Sequence, residues 1–86
     1  MLLNMTLRTY LVTGTSSGIG RACVDELVRT GARVWATVRS DADEKALLRD
    51  HSDHVRVLRM DLCDPESIRA AGERIVADGP LRGLVN

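Results

Sequence analysis

Short runs rich in β-branched residues alternate with longer helical patterns along this chain, and that alternation constrains its fold most. The strand-like runs are TYLVTG (residues 9–14), RVWATV (33–38) and VRVLRM (55–60), and a fourth begins in LRGLVN (81–86). Strands that are separated by helices pair in parallel, through right-handed crossovers. The sequence therefore predicts an α/β fold of β-α-β-α-β-α-β type, a doubly wound parallel sheet with strand order 3-2-1-4.

Capping and stop residues mark the ends of three predicted helices. These helices lie within residues 17–31, 40–52 and 64–80. Gly31 provides the stop of the first helix. Ser40 or Asp41 caps the second, and Glu44, three residues after Asp41, suggests a capping box. Asp64 caps the third helix, in which Pro65 takes the first position.

Apolar residues at helical spacing predict which helix faces are buried. In the first helix they recur at every fourth position, with valines beside them. The residues expected in the core are Ile19, Cys23, Val24, Leu27, Val28, Leu47, Leu48, Ile68, Ala71, Ile75 and Val76. Trp35, in the middle of the second strand, is expected to pack in the core as well.

A glycine-rich segment, VTGTSSGIGRA (residues 12–22), joins the first strand directly to the first helix. Gly14, Gly18 and Gly20 allow positive φ and a close approach to the backbone. Free N–H groups and the positive end of the helix dipole then favour a bound phosphate. The hydroxyls of Thr15, Ser16 and Ser17 are expected to add donors.

The alternative for this loop is a tight strand-to-helix turn without a ligand, but its βαβ context favours a pyrophosphate site. There is no GK[ST] sequence, which excludes a P-loop. The expected site lies at the carboxyl ends of the first and fourth strands, where the order of winding reverses.

Three motifs together resemble the short-chain dehydrogenase/reductase family. TGTSSGIG (residues 13–20) resembles its TGxxxGIG motif, RMDLCD resembles its acidic segment after the third strand, and GLVN (83–86) resembles the start of its VNNAG segment. The motifs follow the family's order and separations, and the match covers residues 7–86. RVWATVRS and LRGLVN resemble the hydroxysteroid and retinol dehydrogenase branches of the family.

The resemblance implies a Rossmann-type fold that binds a dinucleotide, in an oxidoreductase that interconverts an alcohol and a carbonyl. It implies that Asp61 bonds the adenine amino group and that the main chain of Leu62 approaches the same ring. For a full-length form it implies a homo-oligomer with a small-molecule substrate. The candidate cofactor-binding residues are Gly14, Thr15, Ser16, Ser17, Gly18, Ile19, Gly20, Arg39, Ser40, Asp61, Leu62 and Asn86.

Cofactor choice is expected to depend on the end of the second strand. An acid there would bond the ribose of NAD, but this sequence has Arg39 and Ser40. A guanidinium suits a 2′-phosphate, so NADP(H) is favoured over NAD(H). The alternative is a solvated surface arginine. The charge of Asp41 is expected to weaken the preference.

No catalytic residue is assigned within residues 1–86. In the family, the catalytic Ser, Tyr and Lys follow the VNNAG segment, and Tyr10, the single tyrosine here, has Gly14 rather than a lysine four residues later. We expect residues 1–86 to be the N-terminal, NAD(P)-binding part of a longer oxidoreductase. The alternative is a non-catalytic nucleotide-binding or interaction module that is complete at this length.

Composition excludes several other classes of protein. Twelve basic residues balance twelve acidic ones, so no overall charge favours nucleic acid or a membrane surface. No uncharged run is long enough to cross a bilayer, and no signal peptide is recognisable, so a cytoplasmic location is expected. Cys23 and Cys63 lack metal-site spacing. Residues 50–54, which hold two aspartates and two histidines, are expected to form a solvated loop rather than a metal site.

Overall fold

The computed structural model describes residues 8–16, 18–51 and 53–86, and in them strands and helices alternate as predicted. Ser17, one of the predicted hydroxyl donors, lies outside the described residues. The elements in chain order are β1 (Thr9–Val12), α1 (Gly18–Arg29), β2 (Arg33–Val38), α2 (Asp41–His51), β3 (Val55–Arg59), α3 (Pro65–Asp78) and β4 (Gly83–Val85).

The four strands form one sheet in which each neighbouring pair is parallel, in the order β3-β2-β1-β4. The predicted order 3-2-1-4 is confirmed. Val12, the last residue of β1, pairs with Ala36 of β2 and with Val85 of β4. The carboxyl ends of β1, β2 and β4 therefore lie side by side, at the edge where the glycine-rich segment leaves the sheet.

Apolar residues cover both faces of the sheet. One cluster unites β1, β2 and β3 with α1 and α2, through Val12, Val24, Val34, Ala36, Val38, Leu47 and Val55. The other cluster joins Trp35 and Leu58 to Ala71 and Ile75 of α3. The prediction that Trp35 packs in the core is confirmed, and the Arg56 guanidinium lies 4.3 Å from its ring centre. Helices on both faces are what a doubly wound sheet requires.

Two residues that the helical spacing placed in the core are largely exposed: Ile19 is 82% exposed and Val76 is 78% exposed. Ile19 lies in the first turn of α1, after the loop that leaves β1 at Val12, so no strand lies beneath it. Val76 follows the buried Ile75, and the stripe of α3 that contacts the sheet is too narrow to cover both. Leu48 and Ile68 are also only partly covered.

The ends of α2 and α3 show how the predicted caps are used. The Ser40 hydroxyl accepts the N–H of Asp43 at 3.2 Å, so Ser40 caps α2. The predicted capping box of Asp41 and Glu44 does not form, because both carboxylates pair with Arg59. The cap of α3 is confirmed: the Asp64 carboxylate accepts the N–H of Glu66 at 3.1 Å.

An ion-pair cluster joins α1 to α2, where a solvated loop was expected. Arg21 pairs with both Asp25 and Asp50, and the His51 ring nitrogen Nε2 lies 2.6 Å from Asp25 Oδ1. The hydrogen bond from His51, followed by that from Arg21, lowers the pKa of Asp25. Arg21 likewise lowers the pKa of Asp50. The expectation was wrong for Asp50 and His51, because α2 continues through both.

Candidate active-site crevice for a dinucleotide

The glycine-rich loop turns twice through the left-handed region of backbone conformation. Gly14 and Gly18 both have φ of 64°, and a Cβ added at either would stand in open space. Gly20 serves a different purpose, because a Cβ there would lie 2.1 Å from the carbonyl oxygen of Gly14. Gly20 thus allows the first turn of α1 to pack against the loop, while Gly14 and Gly18 keep the surface above it clear.

Two buried threonines hold the loop against β2. Thr15 donates both its backbone N–H, at 3.2 Å, and its hydroxyl, at 3.0 Å, to the carbonyl oxygen of Thr37. The Gly14 N–H donates to the Thr37 hydroxyl at 3.3 Å. The sequence suggested that the Thr15 hydroxyl donates to a phosphate, but this hydroxyl is buried and donates to Thr37, so it positions the loop instead. Ser16 is exposed, so its hydroxyl is accessible to a ligand.

A crevice of about 270 Å³ opens beside this loop, close to the lower end of the usual range for small-molecule sites. It lies at the carboxyl ends of three strands and is lined by the loop after β1, the end of β2 and the turn after β3. Its lining residues are Thr13, Gly14, Thr15, Ser16, Thr37, Val38, Arg39, Met60, Asp61, Leu62 and Cys63. Six predicted site residues are therefore brought together: Gly14, Thr15, Ser16, Arg39, Asp61 and Leu62.

The five other predicted residues that the structure describes do not line this crevice. Gly18, Ile19 and Gly20 form the first turn of α1, and Ser40 caps α2. Asn86 follows β4, and its side-chain oxygen accepts the Thr13 hydroxyl at 2.6 Å. That bond ties β4 to the residue that enters the glycine-rich loop.

Asp61 is fixed by a compact turn between β3 and α3. Its carboxylate accepts the N–H of Cys63 at 2.9 Å, and its own N–H donates to the Ser67 hydroxyl at 3.0 Å. Ser67 in turn donates to the carbonyl oxygen of Asp61 at 3.0 Å. A carboxylate has about four acceptor positions, so Asp61 can still accept from a ligand. Leu62, next in the chain, is 64% exposed over the crevice.

Arg39 is exposed at the other end of the crevice, directly after β2. Within the described part of the chain it forms no ion pair, whereas Arg59 takes both Asp41 and Glu44. The cation nearest the end of β2 is thus available to an anion in the crevice.

The sequence did not indicate Thr37, which lines the crevice, or Ser67 and Arg59, which lie outside it. Thr37 lies in a run of buried strand residues, and the feature that could have identified it is a hydroxyl at a core position. Ser67 could have been identified by its position three residues after the Asp64 cap. Arg59 shows its role only in the tertiary structure, because its partners lie in another element.

The family profile of the short-chain dehydrogenases matches residues 8–86. The chain belongs to the short-chain dehydrogenase family. Two curated relatives show how the match extends across this family. D-erythrulose reductase of Gallus gallus is 42% identical over 79 residues, which cover 92% of this chain and 30% of the relative. Retinol dehydrogenase 12 of Mus musculus is 34% identical over 76 residues, which cover 83% of this chain and 24% of the relative.

Two solved structures share the fold of this chain. A short-chain dehydrogenase from Streptomyces avermitilis superposes with a TM-score of 0.86 and 32% identity, covering 94% of this chain and 30% of the other. YwfH, an NADPH-dependent reductase involved in bacilysin biosynthesis, superposes with a TM-score of 0.80 and 26% identity. The match covers 94% of this chain and 37% of YwfH. This short-chain dehydrogenase chain spans less than a third of the length of the curated relatives described above.

The described residues of this short-chain dehydrogenase contain neither a membrane-spanning helix nor a metal-binding group. None of their helices is both long and apolar enough to cross a membrane. In the same ranges, no three His, Cys, Asp or Glu side chains come together in a group that could hold a metal ion.

Proposed function

We propose that this chain forms the NADP(H)-binding segment of an oxidoreductase that interconverts an alcohol and a carbonyl. The observation that carries the proposal is that one crevice is lined by the glycine-rich loop, by Arg39 and by Asp61. These three come from three different strand ends, and each matches a different part of the same cofactor.

The glycine-rich loop fits the pyrophosphate. Gly14 and Gly18 face open space where any other residue would place a side chain, and their positive φ angles are ones that other residues rarely adopt. The free N–H groups at the start of α1 and the helix dipole favour an anion there. The exposed hydroxyl of Ser16 can donate to a phosphate oxygen, while Thr15 and Thr37 keep the loop in place.

The turn after β3 fits the adenine. The Asp61 carboxylate can accept the adenine amino group, and Leu62 offers an exposed apolar surface to the ring. Asn86, bonded to Thr13, supports the loop from the β4 side.

Arg39 supports a preference for the 2′-phosphate. It directly follows β2, where no acid stands in its place. The Ser40 hydroxyl beside it caps α2 as an acceptor and keeps its own hydrogen to donate. The similarity to an NADPH-dependent reductase agrees with this preference.

When bound, the nicotinamide of the cofactor supplies or accepts a hydride. The described residues act on the other half of the cofactor: they bind the adenosine and the pyrophosphate and orient them. The small alcohol or carbonyl substrate and a homo-oligomeric full-length form are parts of the proposal that the family alone supports.

Fluorescence titration of the full-length oxidoreductase tests this function. We expect NADPH to bind with a dissociation constant at least tenfold lower than that of NADH, because one charge-assisted bond to a phosphate contributes about 1.5–3 kcal/mol. Displacement of NADPH by 2′,5′-ADP, at concentrations where 5′-ADP has little effect, would locate the preference at the 2′-phosphate. Equal affinities for NADPH and NADH would contradict the preference, and absence of binding would contradict the function.

A further inference from the structure

We infer that Arg59 is a positioning residue for cofactor choice, because it holds two acids of α2 in ion pairs beside the expected 2′-phosphate position. Arg59 does not line the crevice, so it acts through Asp41 and Glu44 rather than by contact. The inference rests on the proposed NADP(H) function and names a determinant of its specificity outside the binding surface.

Strand register brings Arg59 to this position. It is the last residue of β3 and pairs with Val38, which immediately precedes Arg39. The next residue, Met60, donates its N–H to the Val38 carbonyl oxygen at 3.0 Å. The ends of β2 and β3 are therefore locked together where the chain turns into α2.

The guanidinium of Arg59 holds two carboxylates at once. One of its terminal nitrogens pairs with Asp41, and Nε lies 3.3 Å from Glu44 Oε1. Both acids belong to the first turn of α2, which starts two residues after Arg39. A single side chain on a neighbouring strand thus binds two of the three acids of that turn.

The charges in this turn decide how strongly a 2′-phosphate is attracted. The first turn of α2 carries Asp41, Asp43 and Glu44, whose charges oppose a phosphate beside Arg39. Charges closer together than the screening length, about 8–10 Å at ordinary salt, still interact appreciably. Arg59 pairs with two of the three acids, and its single positive charge offsets one of their negative charges, while Asp43 forms no ion pair within the described ranges. Arg59 thereby reduces the effect of the Asp41 charge, which the sequence led us to expect would weaken the NADP(H) preference.

Replacement of Arg59 by methionine tests the inference through a ratio of affinities. At low salt we expect Arg59→Met to weaken NADPH binding about three- to tenfold and to change NADH binding less than twofold, since NADH lacks the 2′-phosphate. The NADPH effect should shrink in 0.3 M salt, and Arg59→Lys should retain most of the preference. A purely structural role would weaken both cofactors equally, and that result would overturn the inference.

The reverse variant keeps the inference testable if Arg59→Met fails to fold. In Asp41→Asn/Glu44→Gln, Arg59 keeps its charge without acid partners, and NADPH should bind about threefold tighter with NADH unchanged. Arg29→Gln is the matched control: it removes an arginine paired with Glu26 at the far end of α1 and should leave both affinities unchanged.

The outcomes separate this inference from the proposed function. If the unmodified full-length protein binds neither cofactor, the proposed function is wrong and the inference falls with it. If the chain prefers NADPH but the ratio is unchanged in both the Arg59→Met and the double variant, the function stands and Arg59 has no role in cofactor choice.

Discussion

Replacing Gly18 with valine should lower the affinity for NADPH at least a hundredfold, or about 2.7 kcal/mol. Gly18 has φ of 64°, and its missing Cβ leaves open space beside the start of α1. A valine there would place two methyl groups where the pyrophosphate is expected and would favour a different backbone conformation, turning away the N–H groups that bind it. Fluorescence titration measures the loss, and circular dichroism checks that the fold persists.

Gly31→Val is the matched control for this variant. Gly31 also has a positive φ, of 90°, and also faces open space, but it follows the opposite end of α1. Its replacement brings similar backbone strain without reaching the crevice, so NADPH affinity should stay within about twofold of the unmodified chain. Equal losses in the two variants would show that strain, rather than the phosphate position, explains the effect of Gly18→Val.

Replacing Arg39 with aspartate should shift the preference between NADPH and NADH by at least tenfold toward NADH. The change removes the exposed cation at the end of β2 and places there an acid that can bond the ribose hydroxyls of NADH. One lost charge-assisted bond, of about 1.5–3 kcal/mol, corresponds to roughly a ten- to hundredfold change. The ratio of the two dissociation constants is the quantity to measure.

Arg82→Asp controls for the change in net charge. Arg82 is exposed just before β4, at the amino end of the sheet and away from the crevice. This variant should leave the cofactor ratio unchanged. If the ratio stays constant in Arg39→Asp as well, Arg39 is a solvated surface residue and the assignment of the 2′-phosphate site is wrong.

The order of the elements and of the strands in the sheet follows from patterns that are local in the sequence. β-branched runs and helical spacing mark the elements, and the crossover rules then leave few strand orders, so 3-2-1-4 was predictable. The Asp64 cap and the Gly31 stop were predictable for the same reason, since each depends on residues within one turn.

What the sequence misjudged depends on contacts between elements. Helical spacing gives the direction in which Ile19 and Val76 point, but not how far the sheet extends beneath them. The type of a residue similarly shows that Thr15 has a hydroxyl, but not that the Thr37 carbonyl takes it. The pairing of Arg59 with α2 needs the register of β3, which no local pattern contains.

The location of bound NADPH tests the account most directly. Backbone amide NMR spectra of the ¹⁵N-labelled chain, recorded during titration with NADPH, report each N–H separately. We expect the largest shift changes in the loop from Gly14 to Gly20, at Arg39 and Ser40, and at Asp61 and Leu62, with little change near Gly31 and His54 at the opposite end of the sheet. Saturating NADPH that leaves the loop amides unmoved, or that moves chiefly those at the opposite end, would contradict the account.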